Sequence, residues 1–74
     1  MKIKYKLHIK YSYNGEETLV FIPKTFKSVK KAINWCNDNI DLYKPKPYYK
    51  SIGYFIQPVE IKYESFGSSK FYEL

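Results

Sequence analysis

Ser28-Val29-Lys30-Lys31-Ala32-Ile33-Asn34-Trp35-Cys36-Asn37-Asp38-Asn39-Ile40 is the one stretch of this chain with a helical period. Val29, Ala32, Ile33, Cys36 and Ile40 recur at the three- and four-residue spacing that lines up one apolar stripe, and Lys30, Lys31, Asn34, Asn37 and Asp38 fall opposite. The spacing predicts a single helix. Ser28 is placed to accept a first-turn N–H. Asn39 is suited to the left-handed residue of a Schellman stop, with Ile40 folding back toward Trp35. A helix this short is marginal by itself and needs a sheet to lie on. Trp35 falls at the border of the stripe, where it either covers the core edge or stands as a partly exposed aromatic anchor.

Working outward, Lys2 to Tyr13 alternates without a fault. Ile3, Tyr5, Leu7, Ile9, Tyr11 and Tyr13 point one way, and Lys2, Lys4, Lys6, His8, Lys10 and Ser12 the other, which is a half-buried strand. Asn14-Gly15 follows, a pair that tolerates positive φ and so favours a hairpin. Thr18 to Ile22 returns as the second strand, ended by Pro23. A two-residue loop pairs Ile9 with Val20 and Leu7 with Ile22, leaving Leu19 and Phe21 on the lysine side. A three-residue loop with a bulge at Gly15 instead turns Leu19 and Phe21 to the core. The N-terminal half of the first strand then needs a partner from a later strand or a second molecule.

Beyond the helix, the prolines in Tyr43-Lys44-Pro45-Lys46-Pro47-Tyr48-Tyr49-Lys50 favour an extended, polyproline-like path. Ser51 to Ser65 reads as strand, but Ile52, Tyr54 and Ile56 are out of phase with Val59, Ile61 and Tyr63. The slip at Gln57-Pro58 predicts a bulge or a change to a new strand. Phe66-Gly67-Ser68-Ser69 reads as a turn, and Lys70 to Leu74 as a short last strand or a loose tail. The expectation is one α+β domain over residues 1–74: an antiparallel sheet of three to five strands with one helix on one face, in the order β-β-α-β-(β).

A chain of 74 residues has room for one core. Cys36 is the sole cysteine, so no internal disulfide forms, and no His/Cys cluster is spaced to hold a metal. Nine Tyr, five Phe and one Trp must supply the burial. There is no apolar run of spanning length and no signal-peptide order of segments, so the expectation is a soluble, cytoplasmic protein, in the host cytoplasm if the chain is viral. The formal charge is +6, and every basic residue is lysine. Without arginine the planar fork that grips guanine edges and phosphates bidentately is missing. Abundant Lys, Ile, Asn, Tyr and Phe with one alanine point to an AT-rich gene, such as many phages, archaeal viruses and low-GC hosts carry.

The candidates for chemistry are few. Cys36 lies on the buried stripe with no histidine near it in sequence, which is the place of a packing residue. His8 is the one group that titrates near neutrality unaided, and flanking Lys6 and Lys10 disfavour its protonated form. Glu16 with Glu17, and Glu60 with Glu64, sit as solvated faces. No catalytic, cofactor-binding or metal-binding pattern is present, and the expectation is a non-enzyme without cofactor. Lysines interleaved with aromatics are the stronger signal. They occur at Lys4, Lys6, His8 and Lys10, and again at Lys44, Lys46, Tyr48, Tyr49 and Lys50, with Trp35 as a further contact candidate.

Ile9-Lys10-Tyr11-Ser12-Tyr13-Asn14-Gly15-Glu16-Glu17 resembles the first hairpin of the small lysine-rich chromatin proteins of thermoacidophilic archaea, which bind duplex DNA on a basic β-surface. The likeness stops before the helix, where that family continues in strands, and no function is carried over from it. The βαββαβ RNA-binding domain requires a second helix and aromatic strand motifs that this sequence lacks.

Two readings follow. In the first, the protein acts by occupancy: its lysine face, tyrosine loop and Trp35 cover an acidic patch of a protein or nucleoprotein. Small phage- or virus-encoded inhibitors of host machinery, anti-CRISPR proteins among them, work this way. In the second, the same groups bind nucleic acid with little sequence preference. A homodimer through the long first strand is compatible with either.

Overall fold

The computed structural model describes residues 3–60, 65–66 and 69–74. The chain is a small α+β domain running β1 (Ile3–Tyr13), β2 (Glu16–Phe26), α1 (Val29–Asn39), β3 (Lys50–Glu60), β4 (Ser65–Phe66) and β5 (Lys70–Glu73). The sheet is antiparallel in the order β2-β1-β3, and β4 and β5 divide the outer side of β3 between them. Its three long strands have 11 residues each, and at about 3.4 Å per residue they account for a molecule 42 Å long and only 21 by 19 Å across.

The strict alternation of β1 sends Leu7, Ile9 and Tyr11 to one face, where all three are fully buried. Ile22 and Phe26 from β2, Tyr54 and Ile56 from β3, and Ala32 and Cys36 from α1 complete the core. Val29, Ile33, Trp35 and Ile40 pack against it from the helix. The Ser28 hydroxyl accepts the Lys31 N–H at 3.2 Å, as its cap position predicts.

The other end of the helix differs from expectation. Asn39 remains helical and Ile40 is right-handed, at φ −59° and ψ −31°, so no Schellman stop forms. Carbonyls at this end of the helix find other donors. The Tyr11 hydroxyl donates to the Ile40 carbonyl, the Asn39 amide donates to the Trp35 carbonyl at 2.9 Å, and the Leu42 N–H donates to the Asn39 carbonyl at 3.0 Å. A buried tyrosine from the sheet thus supplies a donor to the carbonyl of the C-cap residue.

Asn14 and Gly15 both have positive φ, 50° and 85°, the signature of a two-residue I′ turn. Ile9 therefore faces Val20, while Leu19 and Phe21 join the lysine side opposite Lys10 and His8. The expected Leu7–Ile22 pair is replaced by a bulge: His8 faces Phe21 and Lys6 faces Thr25, so Ile22-Pro23-Lys24 passes a single residue of β1. Pro23 has no N–H to give the ladder, and on this outer strand the chain bulges there and continues rather than ending. Ile22 and Phe26, an even number of residues apart, both face the core, and the bulge shifts their register without turning either away.

Three further expectations are corrected. β3 neither breaks nor bulges at Gln57-Pro58: Lys6, Tyr5 and Lys4 face Gln57, Pro58 and Val59 in unbroken register. The phase slip is a change of face, with Ile56 on the helix side and Val59, also buried, on the side of Lys4. Ile61, Tyr63, Glu64 and the turn at 66–69 fall wholly or partly outside the described residues, as does Lys2. The proline loop is not polyproline-like, since the Tyr49 N–H donates to the Lys46 carbonyl at 3.1 Å and closes a turn with Pro47 at its first corner. Lastly, β1 is paired with β2 on one side and β3 on the other, so its backbone offers no edge to a second copy.

Gly53 sets how closely β5 approaches. A Cβ there would lie 2.2 Å from Cζ of Phe71 and 2.8 Å from the Tyr72 carbonyl oxygen. Gly53→Ala should push the Phe71 ring off the sheet and loosen β5, at a cost of about 1–3 kcal/mol. Chemical denaturation with amide exchange at 70–73 checks this. An unchanged midpoint would mean that the ring moves away freely.

Candidate binding face of the sheet

The face turned away from the helix is built by the even residues of β1: Lys4, Lys6, His8, Lys10 and Ser12. Register brings aromatic residues of other strands into line with them. His8 is flanked by Phe21 of β2 and Phe55 of β3, and Phe55 is paired in turn with Phe71 of β5. Four rings thus form one row across four strands. The His8 and Phe21 centroids are 5.1 Å apart at 51°, and those of Phe55 and Phe71 are 4.8 Å apart at 47°. Such tilted pairs are favourable arrangements of ring quadrupoles. A hollow of about 280 Å³ opens beside the row, lined by His8, Leu19, Phe55 and Ser69. Leu19, Phe21 and Phe71 are 54, 49 and 40% exposed, so an apolar centre faces solvent on this side.

The next rank toward the hairpin holds Leu19, Lys10, Gly53 and Glu73. The Lys10 ammonium lies 5.8 Å from the Phe71 ring centroid and 3.0 Å from a Glu17 carboxylate oxygen. One rank further, Ser12 faces Lys50. There Ser12, Tyr13, Asn14, Tyr48, Lys50 and Ile52 line a second hollow of about 290 Å³. Tyr13 and Tyr48 meet at 4.3 Å, and Tyr48 stacks on Tyr49 at 5.5 Å and 28°.

Burial, and secondarily the positive charge of Lys6, holds the His8 imidazole below its ordinary pKa. It is therefore neutral at pH 7, an aromatic ring with one donor and one acceptor nitrogen. An anion bound beside it would raise that pKa, so binding on this face should strengthen as pH falls from 7 toward 5.

No protein-family model, curated protein or solved structure matches this chain. What the face can do is therefore argued from its own groups.

The contact residues read from the sequence divide into two sets. Lys4, Lys6, His8 and Lys10 share one face, and Lys50 and Tyr48 stand at its hairpin end. Tyr49 is half-buried against the core. Trp35 lies on the helix side, 5.7 Å from both Phe26 and Tyr43, with the Lys24 ammonium over its ring at 5.8 Å. It covers the core edge and is remote from the lysine face. Lys44 pairs with Asp41 at 3.2 Å just past the helix, and Lys46 is exposed in the Pro47 turn. Phe55, Phe71 and Tyr13 also line this side of the sheet or its hairpin end, and the lysine–aromatic pattern of the sequence does not single them out. The signal for Phe55 was its place between Tyr54 and Ile56, since a residue between two core positions of a strand points the other way.

Cys36 is fully buried, and burial pushes its thiol up to about 11, which suits packing and not nucleophilic attack. Among the described residues no group of His, Cys, Asp and Glu is arranged to hold a metal ion, and no helix is long and apolar enough to cross a membrane.

Proposed function

We propose that this is a non-catalytic binding protein that acts by occupancy, laying the open face of its sheet on an acidic surface of a nucleoprotein or protein assembly and blocking what normally binds there. A phage- or virus-encoded inhibitor of host machinery, in the manner of anti-CRISPR proteins, has this character. One observation carries the reading: a half-exposed apolar centre of Leu19, Phe21 and Phe71 shares its face with Lys4, Lys6, His8 and Lys10. An apolar centre with a charged rim is the anatomy of a recognition surface, with rings as its anchors. The ammonium groups would steer an acidic partner and make the encounter salt-sensitive.

Affinity capture from cells of candidate hosts tests it, comparing the natural chain with a Leu19→Ser/Phe21→Ser variant. Recovery of a specific partner should fall at least ten-fold. Leu42→Ser, at a 74% exposed position just beyond the helix, should leave recovery unchanged. Equal recovery by all three would remove this face from the reading. Direct binding of nucleic acid is the second reading, favoured by the row of rings.

A further inference from the structure

We infer that the occupant of this face is a single strand of nucleic acid running along β1, with one base lodged beside His8 and Phe55 and another against Tyr13 and Tyr48. The inference rests on the open face being the working surface and, of the acidic surfaces that reading allows, commits to the single-stranded nucleic acid of a nucleoprotein. Two hollows carry it, one touching His8 and the other Ser12. These residues are four apart on the same side of one strand, a separation of about 13 Å. Both hollows have aromatic walls, and both have cations close by. Lys10 stands between them, and Lys50 lines the second.

Repeated flat apolar walls with ammonium groups between them match a polymer of flat rings joined by phosphates. A stacked strand rises about 3.4 Å per base, so the hollows would take non-adjacent bases of one short strand. A duplex fits poorly, because its base faces are already stacked and paired, whereas a single strand can turn them onto protein rings. An acidic peptide would satisfy the lysines but bring no flat ring to each hollow at a fixed tether. The absence of arginine removes the bidentate readers of base edges, so recognition would tolerate most sequences.

The Lys10–Glu17 pair gives the inference a specific consequence. Both partners are partly exposed, and such pairs are weak and readily exchanged. An arriving phosphate would take Lys10 from Glu17, so Glu17 works against binding.

The test measures fluorescence anisotropy of labelled oligothymidylate, oligouridylate and a mixed-sequence duplex over a range of salt. The single strands should bind more tightly than the duplex, with log affinity falling by about 0.7 per neutralised phosphate for each unit of log salt. Tyr48→Ala, at an exposed loop position, should weaken binding about ten-fold. Glu17→Gln should tighten it several-fold. Asp38→Asn, the same charge change at an exposed position on the helix, should not. Trp35 emission, from the helix side, confirms that each variant is folded. Preference for duplex, no binding at low salt, or equal effects of Asp38→Asn and Glu17→Gln would overturn the inference. If no oligonucleotide binds while Leu19→Ser/Phe21→Ser still loses its captured partner, the occupant is a protein, and the occupancy reading survives without this one.

Discussion

Tyr11→Ala should leave the chain largely unfolded at room temperature. A domain of 74 residues has a net stability of about 4–11 kcal/mol, taking about 0.05–0.15 kcal/mol per residue. Tyr11 is fully buried in the middle of the core, and emptying the space of a buried ring costs about 3–5 kcal/mol. The same change orphans the Ile40 carbonyl at the helix end, for about a further 1–3 kcal/mol. The loss is comparable to the whole. Far-UV circular dichroism and a proton–nitrogen correlation spectrum would show it, and a cooperative melt near the natural midpoint would contradict it.

Tyr11→Phe separates the ring from its hydroxyl. That variant should fold, less stable by about 1–2 kcal/mol for a lost hydrogen bond and an unpaired acceptor. It also tests a pH dependence. Burial above all, with contributions from Cys36, Asp41 and Tyr43, pushes the Tyr11 phenol up to about 12. The unfolded chain releases that proton near 10, so between these values the folded state holds more protons than the unfolded state. Stability is then full below pH 10 and is lost as pH rises toward 12. Cys36, pushed up to about 11 by burial, acts in the same direction. Denaturation midpoints at pH 8, 10 and 11 should fall for the natural chain and fall less for Tyr11→Phe. Parallel curves would mean that Tyr11 is not the group responsible.

The second large effect is on binding. Changing Lys4, Lys6 and Lys10 together to glutamate should lower affinity for any anionic partner of the open face by about 100-fold or more, which is about 3 kcal/mol. Each exchange removes one positive charge and adds one negative, so the formal +6 becomes zero. Net charge alone could then weaken a steered encounter. Lys27, Lys30 and Lys31, exposed at the start of the helix, give the control, because reversing them has the same effect on total charge away from the sheet face. If the two triple variants lose affinity equally, the partner responds to total charge and has no preferred side. If only the sheet variant loses it, the face is assigned. Lys10→Glu also sets two carboxylates against each other at Glu17, so a triple glutamine variant should accompany it and show a smaller loss in the same direction.

What the amino-acid sequence determined by itself is whatever is written in short periods and single backbone preferences. The alternation from Ile3 to Tyr13 placed the lysines on one face and Leu7, Ile9 and Tyr11 in the core. Positive φ at Asn14 and Gly15 set the hairpin, and the stripe from Val29 to Ile40 set the helix and its Ser28 cap. These are legible because each depends on neighbours within a turn or two of chain. The tertiary structure alone decided the rest. Asn39 stays helical, and the Ile40 carbonyl takes its hydrogen bond from a tyrosine 29 residues away in sequence. Pro23 stays inside a strand because β2 is an outer strand that bulges there, and Pro58 lies between the stretches of β3 that pair with β5 and with β4. The row of Phe21, His8, Phe55 and Phe71 exists only once β2, β1, β3 and β5 are in register. Register between distant strands is settled by burying all the apolar faces at once, and no local stretch of sequence carries that sum.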